Sequence, residues 1–325
     1  MRTTPTICAL VASCLAPSAA FAQHFAFERT LQAEGATTLD VSTVRGKIEV
    51  AAGQPGRIVV EGSATVRAGL NVPPNAIELA RQVAAAPPIE QSGSLVTLKV
   101  PRDADVQRAV TVSYRVRVPP KTEVRTASES GETSIHGISA AVAIRTQSGA
   151  IGIEQLSGAV EIVTGSGTVT AGAIAGPLSV KTSSSAFSGT GLGSSLRART
   201  QSGRVEAAFE GTGDVDVETG SSAVTLRGVH GGVTVNTRSG QLTIDGVPLR
   251  DWSAATSSSS VNLTMPAGSG FRLDAASRSG DVTLDGMQLA GTATKHAATG
   301  QVGKGEATVR VRTGSGAIRV AASDR

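Results

Sequence analysis

Few side chains in this sequence could do chemistry, and their spacing limits what that chemistry could be. The histidines are His24, His136, His230 and His296. None stands among Cys, Asp, Glu or His at the spacing of a zinc site, so no metal and no cofactor is expected. His136 and His230 sit beside glycines and read as solvated loop residues. Two phrases, Gly165-Ser166-Gly167 and Gly314-Ser315-Gly316, place serines on turns. A serine nucleophile needs a base and an orienting acid next to it. No histidine lies within one 18-residue repeat of either serine along the chain, so acyl-transfer chemistry is not expected. Glycoside cleavage would need two carboxylates on one exterior face. Glu206 and Glu218 are the nearest on adjoining repeats, but they fall on different strands.

Two further patterns imitate binding sites. Gly211-Thr212-Gly213-Asp214-Val215-Asp216-Val217 matches one calcium nonapeptide. Such sites share the ion between tandem copies, and here there is one copy, so it reads as a structural turn. A Thr-x-Ser ladder runs through Thr146/Ser148, Thr164/Ser166, Thr182/Ser184, Thr200/Ser202, Thr219/Ser221, Thr237/Ser239 and Thr256/Ser258. Regular threonine arrays can template ice. Parity opposes that here, because each Thr stands two residues beyond an inward apolar pair, as in Val160-x-Ile162-x-Thr164, and therefore faces the core.

These residues are positioned by a repeat. The phrase Thr-x-Ser-Gly-x-(Val/Ile) recurs with Gly or Ser at 131, 149, 167, 185, 203, 222, 240, 259, 280 and 316. Most steps are 18 residues, with looser ones near the C-terminus. Gly300 reads as a degenerate copy and Gly46 as an isolated early one. After the turn comes strand one, with period-two apolar pairs such as Val205/Ala207, Val224/Leu226 and Leu242/Ile244. A second turn leads to strand two, as in Val160/Ile162 and Val233/Val235. Each strand therefore buries one face. One coil cannot bury its apolar side alone, but stacked coils close an aliphatic core. The fold expected is all-β, a parallel β-solenoid of about eleven 18-residue coils, roughly 50 Å long at strand spacing. An antiparallel sandwich built from the same short strands is the competing architecture.

Composition agrees with thin stacked strands. Aromatics are 2% of the 325 residues, while glycines number 38 and hydrophobic residues reach 40%. The net charge of +4 carries no basic cluster interleaved with aromatics, so nucleic acid is not an expected partner. Residues 1–22 read as a signal peptide, with Arg2, an apolar stretch and the cleavage signature Ala20-Phe21-Ala22 before Gln23. A lipoprotein anchored at Cys14, from Val11-Ala12-Ser13-Cys14, is the alternative; the apolar stretch is too short to span a membrane. Both cysteines, Cys8 and Cys14, lie in this leader, which leaves the mature chain without a disulfide. Residues 23–125 read as an irregular β-rich cap, with a short helix over Asn75–Ala86 packing Ile77, Leu79 and Val83. Residues 126–325 read as the solenoid.

The leader, Val44–Val50, Tyr114–Pro119 and the phrases from Ser128 onward together resemble the bacterial family of exported β-strand-repeat proteins labelled "putative adhesin", a domain of unknown function. The resemblance implies an exported β-helical rod and no catalytic residues. The reading that follows is an exported, non-catalytic structural or adhesive module, periplasmic or secreted. A carbohydrate-binding or carbohydrate-cleaving β-helix is the alternative, although only Trp252 could serve as an aromatic platform; an ice-binding face comes third. The candidate interaction face is strand one's exterior: Thr168, Thr170, Ser188, Thr225, Thr243, Asn262 and Thr283. Its partner would be a cell-envelope component, a glycan or a second rod.

Overall fold

The computed structural model describes residues 23–323 apart from Glu34, Ala36 and residues 69–71. The leader, with Cys14, Ala20 and Ala22, lies outside the described residues. The rest forms two long sheets of 14 and 15 strands, paired mostly in parallel. Setting aside two antiparallel strands of the first sheet and three of the second leaves twelve two-strand layers. This is the expected parallel β-solenoid. Through the middle, each layer pairs with the next along the chain, in unbroken register in the strand-two sheet and with shifts after Gly189 and Leu226 in the strand-one sheet. Val142, Val160, Leu178, Leu196, Val215, Val233 and Trp252 form one column of the strand-two sheet.

The core is the set of inward columns. Ile162, Val217, Leu226 and Ile244 have no exposed surface, and Trp252 is fully buried with its indole N–H donating to Gly231 O at 2.9 Å. The threonine ladder is also inward: Thr146, Thr164, Thr200, Thr219 and Thr237 are all buried. Its hydroxyls do two jobs. Thr146 and Thr164 donate to the carbonyls of Ser148 and Ser166, where Gly149 and Gly167 have φ of 135° and 123°. Thr182, Thr200 and Thr237 instead accept the N–H three residues on, from Ser185, Gly203 and Gly240. Buried polar groups must find such partners, and Thr219 and Thr256 are exceptions whose hydroxyls have none. Layers approach closely at the turn column. A methyl group on Gly149 would come within 2.0 Å of Gly131 O, and one on Gly167 within 2.1 Å of Gly149 O.

At both ends the stacking order leaves the sequence order. Thr38–Thr43 and Ile48–Ala52 form a layer between Leu95–Leu98/Val110–Val118 on the outside and Glu123–Ser130/Thr133–His136 on the inside. Gly46 is thus a full member of the turn column, under Gly131. At the other end Thr308–Thr313 and Ile318–Ser323 sit between Trp252–Thr256/Val261–Pro266 and Phe271–Ser277/Val282–Asp285. The expected division at 125/126 does not follow the sheets: it falls inside the strand Glu123–Ser130, and residues 38–52 and 95–118 supply layers of the rod. Gly300 is not a turn either. It lies in Ala297–Val302, which runs antiparallel to both Phe271–Ser277 and Leu289–Ala293. The helix spans Ala76–Ala85 and buries Ala76, Ala80 and Val83, whereas Ile77 is 40% exposed. The smaller residues fit against the strands Arg57–Val66 and His24–Gln32, leaving Ile77 outside.

Candidate interaction faces

Strand alternation sends every second residue of each sheet outward. On the strand-one sheet, Thr168, Thr170, Ser188 and Thr283 are exposed, and Thr225, Thr243 and Asn262 are half-buried. Pairing brings most of them into one row: Thr170, Ser188, Glu206, Thr225, Thr243, Asn262. Thr168 lies in the neighbouring row, beside Ala186. The inserted terminal coil places Arg319 between Asn262 and Thr283, which separates Thr283 from the others. Two charges therefore interrupt the row. Glu206 pairs with Arg204 at 3.4 Å, and Arg319 pairs with Asp285.

The strand-two sheet is charged and carries shallow troughs. One, of about 830 Å³, runs over Arg125, Arg145, Glu161, Arg197 and Asp216. Its charges are neutralised pairwise: Arg125 with Glu123 at 2.7 Å, Arg145 with Glu161 at 3.7 Å and Arg197 with Asp216 at 3.2 Å. A second trough of similar volume lies towards the turn column, over Lys181, Arg199, Arg238, Glu218, Gln201 and Asn236. The sequence shows these residues as exterior but hides that they converge, because they come from four different layers.

The other chemical candidates take structural places. Asp214 of the nonapeptide accepts the Gly232 N–H at 2.7 Å and pairs with Arg250 at 2.9 Å. Among the described residues no group of three His, Cys, Asp or Glu is placed to hold a metal. His296 comes closer to the serines than its sequence distance implies. Its Nδ1 lies 2.8 Å from Gly280 O, and Gly280 stacks on Gly316. The neighbouring Ser279 and Ser277 hydroxyls donate to Gly314 O and Gly316 O and not to the imidazole. Glu206 and Glu218 stand on different sheets, as expected from their strands. Burial pushes the Tyr114 phenol above its ordinary range; the ring is stacked edge-on against Phe27 in the core.

Among the described residues no helix is long and apolar enough to cross a membrane. No curated protein matches the chain. Three solved structures are similar to it at low identity. A putative cell adhesion protein from Clostridium sporogenes is 11% identical, with a TM-score of 0.23, over 93% of this chain and all of that one. A putative adhesin from Bacteroides fragilis is 12% identical, with a TM-score of 0.29, over 91% and 96% of the two chains. Another from Parabacteroides distasonis is 7% identical, with a TM-score of 0.30, over 90% and 96%. Residues 174–321, from the middle layers through the inserted terminal coil, match the family described as Toastrack DUF4097, which bears out the resemblance over that stretch.

Proposed function

We propose that the chain is an exported, non-catalytic adhesive or structural module that meets its partner over an outward sheet face. The observation that carries this reading is the in-register rod itself. Its twelve stacked layers bring outward residues into rows, while inward threonines such as Thr164 and Thr200 are bonded in the turns. The strand-one row through Thr170, Ser188, Thr225, Thr243 and Asn262, interrupted by Glu206, is a polar platform suited to an envelope component, a glycan or a second rod. Export follows from the leader, with Gln23 as the first mature residue. N-terminal sequencing or intact mass tests this, and a lipid-modified start at Cys14 would overturn it.

The platform is tested with Thr225→Arg and Thr243→Arg, against Thr234→Arg on the other sheet, which lies outside the trough over Lys181 and Arg199. Attachment to cells and self-association by sedimentation should fall for the first two alone. Equal loss in all three would point to charge in general, and no loss in the first two would remove the platform from the reading. Carbohydrate binding is the second reading. It is favoured by the polar trough over Gln201, Asn236 and Arg199 on the strand-two sheet.

A further inference from the structure

Much of the strand-two exterior pairs its charges, but one trough carries a surplus of cations. Lys181 and Arg199 stand directly opposite each other on adjacent parallel strands. Like charges facing each other at strand spacing destabilise a sheet. Arg199 shares Glu218 at 3.4 Å, but Lys181 has no carboxylate within 4.0 Å among the described residues. Arg238 lines the same trough two layers beyond Arg199, and it also has no ion-pair partner among the described residues. Three cations thus face one carboxylate in a trough of about 830 Å³. The fold gains nothing from this surplus, since its inward columns and turn bonds are independent of it.

The rest of the lining states what the counter-ion is attached to. Gln201 and Asn236 offer amides, and Ser183, Ser202 and Ser221 offer hydroxyls. No aromatic side chain lines the trough, so it lacks the anchor by which a peptide segment usually binds. A chain rich in hydroxyls and carrying carboxylates satisfies both halves of the lining. Successive rings of an extended sugar chain also advance by close to the strand spacing, so each ring can address a new layer.

We propose that this trough binds an acidic glycan, with Lys181 and Arg238 taking sugar carboxylates and Arg199 shared between Glu218 and the ligand. The inference rests on the carbohydrate-binding reading and deepens it. The trough is wide open to solvent, so binding should weaken steeply as salt is added.

The test uses calorimetry on the full exported chain with three probes: tetragalacturonate, its neutral methyl ester and a hexaglutamate peptide. The variants are Lys181→Gln, Arg238→Gln and the double change, with Arg272→Gln as a charge-matched control on the same sheet outside the trough. Tetragalacturonate should bind, and the double variant should lose at least about tenfold in affinity, as removal of paired interface charges does. Arg272→Gln should leave binding unchanged, and both other probes should bind more weakly. Equal affinity of the double variant and the parent chain overturns the proposal. So does hexaglutamate binding as tightly as the sugar, which would make the trough a site for acidic peptides. Tight binding of the methyl ester, insensitive to both variants, would leave carbohydrate binding standing and sink the acidic-glycan assignment. Silence from both sugar probes would sink both.

Discussion

At the N-terminal end, the coil that comes first in the chain, Thr38–Thr43 with Ile48–Ala52, lies one layer in from the end of the rod. At the C-terminal end, the coil that comes last, Thr308–Thr313 with Ile318–Ser323, also lies one layer in. In both places a later or earlier segment returns to form the outermost layer. A terminal coil left on the outside would have one neighbour and an open edge; sandwiched, it has two. The ends then differ in how the outermost layer is closed. At the N-terminal end antiparallel strands flank both sheets, Arg57–Val66 on one and Ile89–Ser92 on the other, and the helices Ala76–Ala85 and Ala104–Ala109 pack on the strand-one side. At the C-terminal end a hairpin, Leu289–Ala293 with Ala297–Val302, closes only the strand-two sheet. The strand-one sheet stops at Val282–Asp285, where Val282, Leu284 and Met287 are only partly covered. An open edge is where a sheet is most exposed to unwanted pairing, so fraying should begin there.

The largest test of the sandwiched coil is to delete residues 303–325. Val309, Val311, Ile318 and Val320 have no exposed surface. Losing four such side chains removes roughly 6 kcal/mol of burial at the lower end of the usual range. It also strips the parallel partner from Phe271–Ser277 and Val282–Asp285. The melting midpoint should fall sharply, and limited proteolysis should cut first within 267–302. A truncated chain that melts like the parent would mean that the terminal coil is not part of the stack.

Single charges sharpen the contrast. Val205→Asp in a middle layer and Val311→Asp in the sandwiched coil should each cost about 3–5 kcal/mol, the usual penalty of an unpaired buried charge. Val282→Asp, at the open edge, should cost under about half as much because water reaches the carboxylate there. If the three denaturant midpoints drop together, the C-terminal edge is as well sealed as the core.

Much of this architecture was legible from the residues, and what was hidden has a physical reason. Period-two apolar pairs such as Val224/Leu226 fix which face is inward, and the same parity turns the threonines into the core. Layer order is a different kind of information. The column Gly240, Ser259, Gly316, Gly280 stacks in that order, yet Thr313-Gly-Ser-Gly316 is the same phrase as any other. One mark of the change was present, a step of 21 residues between Ser259 and Gly280 where 18 or 19 is the rule. The hairpin at 289–302 escaped notice because Thr299-Gly300-Gln301-Val302 copies the turn phrase while serving as strand. The Lys181 trough could not be read from the chain because its lining is assembled across layers.

Within the middle layers, the threonine column contains its own comparison. Thr200 and Thr219 are neighbours in register and both buried. Thr200 accepts the Gly203 N–H at 2.9 Å, whereas the Thr219 hydroxyl has no partner. Thr200→Val should cost about 1 kcal/mol, because it forfeits a hydrogen bond and leaves a buried N–H unpaired. Thr219→Val keeps the shape and removes an unsatisfied hydroxyl, so it should be neutral or slightly stabilising. The reverse order in urea unfolding would show that the two turns exchange their hydrogen bonds in solution.

The smallest effect expected lies in the ion pairs that tie each sandwiched coil to the outermost layer. At the N-terminal end Glu49 and Arg115 face each other across that seam, with a contact of 3.1 Å. At the C-terminal end Asp274 accepts from Arg312 at 2.6 Å and from Arg310 at 3.3 Å. The Arg312 hydrogen bond holds the Asp274 carboxyl below its ordinary range, against the opposing effect of burial, with the charges of Arg312 and Arg310 adding to it. A depressed carboxylate stabilises the fold above its unfolded-state value of 3.8 and loses that contribution as pH falls through the lower folded-state value. Its side chain is 29% exposed and both arginines are more open, so Asp274→Asn should cost no more than about 1 kcal/mol near neutral pH. That difference between the variant and the parent chain should shrink as the solution is acidified below the ordinary carboxylate range. Amide exchange gives the location: in the variant at neutral pH, protection should fall in Phe271–Ser277 and Thr308–Thr313 while Ile48–Ala52 and Val110–Val118 stay protected. Loss of protection at both seams would show that the two ends are energetically coupled through the rod, and a pH-independent difference would show that Asp274 acts through packing and not through its charge.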